Sequence, residues 1–477
     1  MAENLEPYRP LYHFTPPHGW INDPNGLVCF RDQWHLFYQY YESGQVDGMQ
    51  WGHAVSSDLI RWKHLPPAIG PDQHGQIWSG SAVVDHSDTS GLFHGQAGMV
   101  CFFTYWNSSD NMQCQGMAYS PDGFTFYKFS GNPVIPYLPD GEKEFRDPKV
   151  FWHTRSRRWI MAVAGGKLRV YSSSNLLDWQ FENINEGLET ECPDLFELPV
   201  DGGKSEHKWI LSGGGRWYMI GDFDGKCFIP RSERLPMNHG PDFYATQSWS
   251  DAPGGRRITI SWLFNWIYKS RPVHGRIQNS FPTQPWSGGC LTVPCELSLR
   301  TTSEGLRLVQ HPAPELERFR APLCDIKNLL IKPGSVNPLD GVRGKALDIE
   351  LVVQSPLRSF WNLRIPANSD RFYTVGFDAE KKSLFLDRTS GGFEAAPSFA
   401  ERYEAPLPIR PDGSVSLRIL TDGCSIEVFD ETGLVTMSAF ILPDPAADDI
   451  VFESSGSDVA IRRLAVYALQ TRNAAFE

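Results

Sequence analysis

The sequence predicts an all-β protein built as a five-bladed β-propeller followed by a C-terminal β-sandwich. Three observations carry this: turn-punctuated apolar runs, an internal repeat, and a change of pattern after residue 300. Up to about residue 300, short alternating runs rich in Val, Ile, Phe, Tyr and Trp are separated by Gly, Asn, Asp and Pro clusters about every 8–12 residues. No long amphipathic helix interrupts them. The repeat comprises Ser57-Asp58-Leu59-Ile60-Arg61-Trp62, Ser120-Pro121-Asp122-Gly123-Phe124-Thr125-Phe126 and Ser174-Asn175-Leu176-Leu177-Asp178-Trp179, starting 63 and then 54 residues apart. Each reads as the outer edge of one blade, and about 300 residues at a spacing of roughly 45–60 give five blades.

A second repeated element has an acidic residue near a proline, an apolar strand, a polar turn and a Trp-bearing strand. It starts at Asp23, Asp147 and Glu191. Equivalent places on the innermost strands face one axial channel, so these three carboxylates are expected to converge. Residues 1–310 are thus assigned to the propeller and 311–322 to a linker with room for one short helical turn. Residues 323–477 form the sandwich, whose runs KALDIELVV, RFYTVGFDA, KSLFLDR, SVSLRIL, CSIEVFD and LVTMSAFIL alternate apolar and polar residues. No convergent cluster of ionisable groups is visible in it, and its expected role is structural or sugar-contacting.

At 477 residues the chain exceeds the usual size of one core. Its net charge of −12 with interspersed signs offers no basic stripe for a phosphate backbone, so nucleic acid is not an expected partner. No run approaches the roughly 18 apolar residues of a membrane span, and no membrane partner is expected. The 16 Trp suit a β-protein with a sugar-stacking surface, though most serve a core. Nine cysteines show no CxxC or metal spacing and read as reduced and mostly buried. The first residues lack a signal-peptide pattern, which favours the cytoplasm. The sequon at Asn107-Ser108-Ser109 leans toward secretion, as would a signal peptide already removed.

Asp23 lies in Gly19-Trp20-Ile21-Asn22-Asp23-Pro24-Asn25-Gly26, which taken alone reads as a tight turn. Phe145-Arg146-Asp147-Pro148 reads equally as a surface ion pair, and Thr190-Glu191-Cys192-Pro193-Asp194 as a polar loop. Gathered on one axis, however, three like charges are costly unless used. Breaking a glycosidic bond needs two carboxyl groups flanking the anomeric carbon, and a third carboxylate with a guanidinium can hold sugar hydroxyls.

WINDPNG, FRDP and ECPD, in this order, resemble the signature motifs of the invertase, inulinase and levanase family, glycoside hydrolase family 32. Supporting matches are WHLFYQY, WGHAVSSDLIRW, IWSGSAV, DFYATQSWSD and PCELSL. The resemblance implies the same propeller and sandwich, and a retaining hydrolase that releases terminal β-D-fructofuranosyl units from sucrose, fructo-oligosaccharides or fructans. It makes Asp23 the nucleophile, Glu191 the acid/base and Asp147 the group gripping fructose hydroxyls. Arg146 would keep Asp147 ionised, Asn22, Gln39 and Ser79 would contact hydroxyls, and Trp20 and Trp78 would form an aromatic wall. The carboxyl groups of Asp23 and Glu191 should lie about 5–5.5 Å apart, and the pKa of Glu191 should be raised by the two aspartates and burial. No metal or organic cofactor is needed. His13, His18 and His53 read as hydrogen-bonding core or rim residues.

Where many relatives carry a Trp at the pocket mouth, this chain has Asp47, which makes Asp47 a candidate contact on the aglycone side. His239-Gly240-Pro241-Asp242 does not carry both the Asp and the Lys that plant invertases use for glucose, favouring the microbial branch. A long segment, IYKSRPVHGRIQNSF, is expected at the pocket rim, adding subsites or contacting a second subunit in a homodimer. Two rivals stand beside the hydrolase: a fructosyltransferase using the same residues, and a catalytically weak fructan-binding protein.

Overall fold

The computed structural model describes residues 6, 8–42, 48–138, 142–269, 286, 288–368, 370–392 and 399–471. Up to Pro312 it forms five consecutive antiparallel sheets. Blade 1 contains Trp20–Phe30, Gln33–Tyr41, Gln50–Ser56 and Lys63–Ile69, paired in that order. Blade 2 runs from Gln76–Asp85 to Tyr127–Lys128, and blade 3 from Arg146–His153 to Gln180–Thr190. Blade 4 starts at Asp194–Pro199 and blade 5 at Tyr244–Ser248.

The first strands line the axis and are tied to one another. Ser81 Oγ donates to Pro148 O (2.7 Å) and accepts from Val150 N (2.9 Å), joining blades 2 and 3. Ser250 N donates to Leu27 O and Cys29 N to Ser250 O, both 2.9 Å, closing the ring between the last blade and the first. Side chains between blades complete the packing; Val28, Phe37, Trp51, Ile77, Cys101 and Phe103 share one buried cluster.

The repeat falls at the turn between the third and outermost strands of blades 1 to 3. In each copy an acidic or amide side chain accepts from two backbone N–H groups: Asp58 from Ile60 and Arg61, Asp122 from Phe124 and Thr125, Asn175 from Leu177 and Asp178. The next residue is left-handed each time, with φ of 65° at Leu59, 84° at Gly123 and 64° at Leu176. Asn and Asp side chains stabilise such turns by imitating a backbone carbonyl. The indoles of Trp62 and Trp179 then donate back to Leu59 O and Leu176 O at 3.0 Å.

The stretch 311–322 holds the end of Gly305–Pro312, the 3-10 helix Pro314–Phe319 and the start of the strand Arg320–Ile331. Beyond it lie a six-stranded and a five-stranded antiparallel sheet. Leu351, Trp361, Phe377, Ile419, Val428 and Leu464 pack in their shared core. Contrary to the sequence reading, ionisable groups do cluster here. Asp348 accepts from Arg320 (2.8 Å) and Arg418 (2.7 Å), and Glu350 pairs with Arg320 and Arg463. These charges neutralise one another across neighbouring strands, which 3.4 Å spacing along a chain does not reveal. Among the described residues no helix is long and apolar enough to cross a membrane.

Candidate active site

The WINDPNG segment is strand, and the tight-turn reading does not hold. Trp20–Phe30 pairs with Gln33–Tyr41, and its register slips between Ile21 and Pro24 and again between Asn25 and Val28. The first bulge leaves Asn22 and Asp23 unpaired, so both side chains turn toward the axis. Gly26 supports the second bulge with φ 54°; a Cβ there would meet the Phe37 ring at 2.6 Å and Trp51 at 2.8 Å. Turn-forming residue types are here used to bend a strand.

Asp147 begins blade 3 with φ 64°, a left-handed backbone that costs an aspartate about 1 kcal/mol and is found where the surrounding structure enforces it. Its N–H donates to Thr104 Oγ1 at 2.9 Å, and its Oδ2 accepts from Cys192 N at 2.9 Å. Glu191 is not on an inner strand. It lies in the link between Gln180–Thr190 and Asp194–Pro199, at the mouth of the channel, while the Asp194 of the same motif starts blade 4. Asp194 pairs with Lys149 at 2.8 Å, both fully buried, and accepts from Ser248 N at 2.7 Å. This knot forms a floor between blades 3, 4 and 5.

Above the floor is a cavity of about 370 Å³. Asn22, Asp23, Gln39, Trp78, Ser79, Arg146, Asp147 and Glu191 all line it. Trp20 does not. It is buried behind Asn22, donating to Asn22 Oδ1 at 3.2 Å and packing edge-on against Trp262 and Phe264, so its role is support rather than wall. Asp47 lies outside the described residues, as does the rim segment 267–281 from residue 270 onward; its first residues belong to the 3-10 helix Trp266–Lys269.

Asp23 Oδ2 accepts from Ser79 Oγ at 2.6 Å, and Oδ1 from Asn22 Nδ2 at 3.2 Å. Burial raises its pKa, opposed by these donors and reinforced by Glu191. Burial likewise pushes Asp147 to about 6; Arg146 lowers it and Asp23 raises it. Arg146 stands 3.8 Å from Asp147 but 2.6 Å from Glu191, and it also pairs with Glu144. Gly165 makes room for it, since a Cβ there would meet Arg146 Cγ at 2.6 Å.

The Glu191 carboxyl departs from the sequence expectation. Burial does raise its pKa, but the hydroxyl of Tyr244, donating to Oε2, and Arg146 outweigh burial and hold it below the usual carboxylate range. The aspartates are not its dominant neighbours; two donors are. Tyr244 lies in the DFYA segment, where nothing in residue type or spacing marks a tyrosine as a carboxylate's partner. The sequence reads Cys192 only as one of nine reduced, mostly buried cysteines. Its Sγ lies 3.4 Å from Asp23 Oδ2 and 3.5 Å from Asp147 Oδ2, bridging the two carboxylates as a neutral donor. Tyr41, Met49 and Trp266 complete the rim, with Trp106 stacked on Trp78 at 4.8 Å. As for the histidines, His13 and His53 are buried and hydrogen-bonded, and His18 is half-exposed beside Tyr40 and Glu42.

Two family models match in tandem, the glycosyl hydrolases family 32 N-terminal domain over residues 13–312 and its C-terminal domain over 315–468. The levanase of Bacillus subtilis (strain 168) is 40% identical over 494 residues, covering 98% of this chain and 71% of that protein. The extracellular exo-inulinase of Aspergillus awamori is 32% identical, covering 97% and 95%. Its crystal structure superposes with a TM-score of 0.86 at 30% identity, over 98% of this chain and 99% of that one. A fructofuranosidase variant from Schwanniomyces occidentalis, solved with fructosylnystose, gives 0.85 at 29% identity over 99% of both chains. With both domains matched in order and the three carboxylates gathered in one pocket, the chain belongs to glycosyl hydrolase family 32.

Proposed function

We propose that this protein is a retaining β-fructosidase that removes terminal fructosyl units from levan- or inulin-type fructans and from sucrose. The observation that carries this reading is the pocket itself: a buried, donor-fixed Asp23 and a half-exposed Glu191 share one cavity with Asp147. A volume of about 370 Å³ suits one end unit and part of its neighbour, which favours exo action.

In this mechanism, Asp23, oriented by Ser79 and Asn22, attacks the anomeric carbon as Glu191 protonates the departing glycosidic oxygen. A fructosyl ester of Asp23 forms and the rest of the substrate leaves as an alcohol. Glu191, now a carboxylate, takes a proton from water; the oxygen attacks the same carbon and Asp23 is released. Asp147, buried and fixed by Cys192 N, accepts from sugar hydroxyls and stabilises positive charge on the ring. The charge of Asp23 is present when Glu191 must be an acid and absent in the ester when it must be a base, so the nucleophile helps cycle its partner. Arg146 and Tyr244 favour the base form.

The levanase and exo-inulinase relatives support fructans as substrates, and a polymeric substrate supports action outside the cell, in place of the cytoplasm expected from the first residues. The test is product analysis on sucrose, inulin and levan side by side. Free fructose should dominate, and Asp23→Ala should abolish its release. Oligosaccharide as the main product from concentrated sucrose would make the protein a transferase. Undiminished turnover in Asp23→Ala, or cleavage of none of the three, would overturn the reading.

A further inference from the structure

The same inner strands that open on the catalytic pocket at one end open on a second cavity at the other. It measures about 700 Å³ and is lined by the far ends of these strands: Asp85 of blade 2, His153 of blade 3, Glu197 of blade 4 and Asp251 after blade 5. Asp147 in the catalytic pocket and His153 at the far rim lie six residues, about 20 Å, apart on one strand, and the Lys149–Asp194 floor, whose lysine lines the second cavity, separates the two. None of the mechanism's residues reaches it.

Its chemistry is that of rings and short polar groups. Trp152 is the exposed aromatic of the wall, at 41% accessibility, held edge-on to Trp159 at 5.2 Å; Phe151 and Trp209 stand beside it, 5.3 Å apart. Trp159 is fixed by donating to Thr89 Oγ1 at 2.9 Å. The charges around these rings largely neutralise one another. Lys149 meets Asp194 at 2.8 Å, His86 shares a hydrogen bond with Asp251, and the other formal charges of the lining, Asp85, Glu197 and Asp251 against Arg155 and Arg257, come close to balance. The Asp85 carboxylate already accepts from the N–H groups of Thr89 (2.8 Å) and Ser90 (2.9 Å). Such a lining offers little net attraction to an anion or a cation. It suits a neutral, polyhydroxylated ligand that lays an apolar ring face on indole and points its hydroxyls at paired polar groups.

We infer that this distal cavity is a non-catalytic carbohydrate site that holds an internal stretch of the same fructan chain whose end enters the catalytic pocket. The inference rests on the fructan reading above. A chain held at both places must pass around the propeller, so sucrose and short oligosaccharides cannot engage both sites and long polymers can. Tethering raises the effective concentration of chain ends at the pocket without a new contact there.

The experiment compares the full-length enzyme with Trp152→Ala and Trp152→Phe. For each, kcat/KM is measured on sucrose and on high-molecular-weight levan and inulin, and gel mobility is followed in native gels containing the same polymers, in an Asp23→Asn background that cannot shorten them. Loss of the indole should raise polymer KM about threefold to tenfold and weaken gel retardation by a similar factor. Phenylalanine should restore part of both, and kcat/KM on sucrose should stay unchanged. Polymer KM and retardation that do not move in Trp152→Ala overturn the second site while leaving the catalytic reading intact. A parallel loss on sucrose and polymer overturns it too, because a tether acts only on long chains. If the unmodified enzyme cleaves neither sucrose nor polymer, the catalytic reading is what fails.

Discussion

Replacing Tyr244 by phenylalanine removes one hydroxyl and keeps the ring that Arg216 covers at 5.0 Å. In the wild-type site that hydroxyl donates to Glu191 Oε2, and its own pKa is raised far enough, by burial first and nearby acidic groups next, that it remains a donor throughout the working range. It therefore stabilises the carboxylate over the carboxylic acid. A hydrogen bond to a charged acceptor contributes about 1.5–3 kcal/mol. The Glu191 side chain is 43% exposed, so solvent screening reduces this to about 1–1.5 kcal/mol. At 1.36 kcal/mol per pKa unit, the Glu191 pKa should rise by about one unit. Since the enzyme needs Glu191 protonated to begin, the alkaline limb of kcat/KM against pH should move to higher pH by that amount, with the acid limb nearly fixed. The assay is initial-rate fructose release from sucrose over the full pH range. An alkaline limb that stays in place, or moves to lower pH, refutes the assignment of Tyr244 as the group depressing Glu191.

Asp147→Asn should abolish turnover yet stabilise the fold. A carboxyl whose pKa rises from 3.8 to about 6 on folding makes the protein lose stability as pH climbs between those values, about 2–3 kcal/mol in all. Urea midpoints at pH 7 should be higher in the variant, and an unchanged or lower midpoint counts against the burial cost. The Cys192 thiol is pushed well above its ordinary pKa by burial and by Asp147 and Asp23, so iodoacetamide at neutral pH should leave activity intact. Rapid inactivation traced to this residue would contradict that. His13 sits between Asp422 (3.0 Å) and Glu427 (2.9 Å), and these carboxylates overcome burial to raise its pKa to about 10. Its contribution is whole below the unfolded value near 6.5 and fades as pH rises toward about 10. Thermal stability should decline across that window, and His13→Gln should flatten the decline while costing about 3 kcal/mol at pH 6, by stranding two buried carboxylates.

The propeller was legible because its turns are local chemistry. The side chain of Asp58, Asp122 or Asn175 folds back on the residues that follow it, and a pattern of that length survives in the sequence. Asp23 and Asp147 are legible through the repeat, and Glu191 through the family motif, since the inner strand of blade 4 starts at Asp194 rather than at Glu191. What stayed hidden depends on distances between blades. Cys192 matters because it sits beside an aspartate 45 positions earlier and another 169 positions earlier. Tyr244 matters because of a glutamate 53 positions away. The resemblance places Trp20 in the wall, but the register slip after Ile21 turns Asn22 and Asp23 to the axis and leaves the indole behind them, which motif matching does not reveal.

The sandwich, expected to be structural or sugar-contacting, reaches toward the catalytic pocket through one buried cation. Arg388 donates to Asp242 Oδ2 at 2.8 Å, to Phe440 O at 3.0 Å and to the hydroxyl of Tyr268 at 2.9 Å, and its guanidinium lies over Phe399 at 4.2 Å. Asp242 Oδ2 also accepts from Phe440 N at 2.8 Å, so the carboxylate is held from the sandwich side by both side chain and backbone. Two residues later in the chain, Tyr244 enters blade 5 and meets Glu191. A fully buried ion pair gives little net stability over an apolar replacement, but removing one partner strands the other charge. Its geometric consequence is specific. The segment carrying Tyr244 is fixed at one end by the sandwich and at the other by the blade 5 ladder, so the protonation balance of Glu191 depends on both domains being docked.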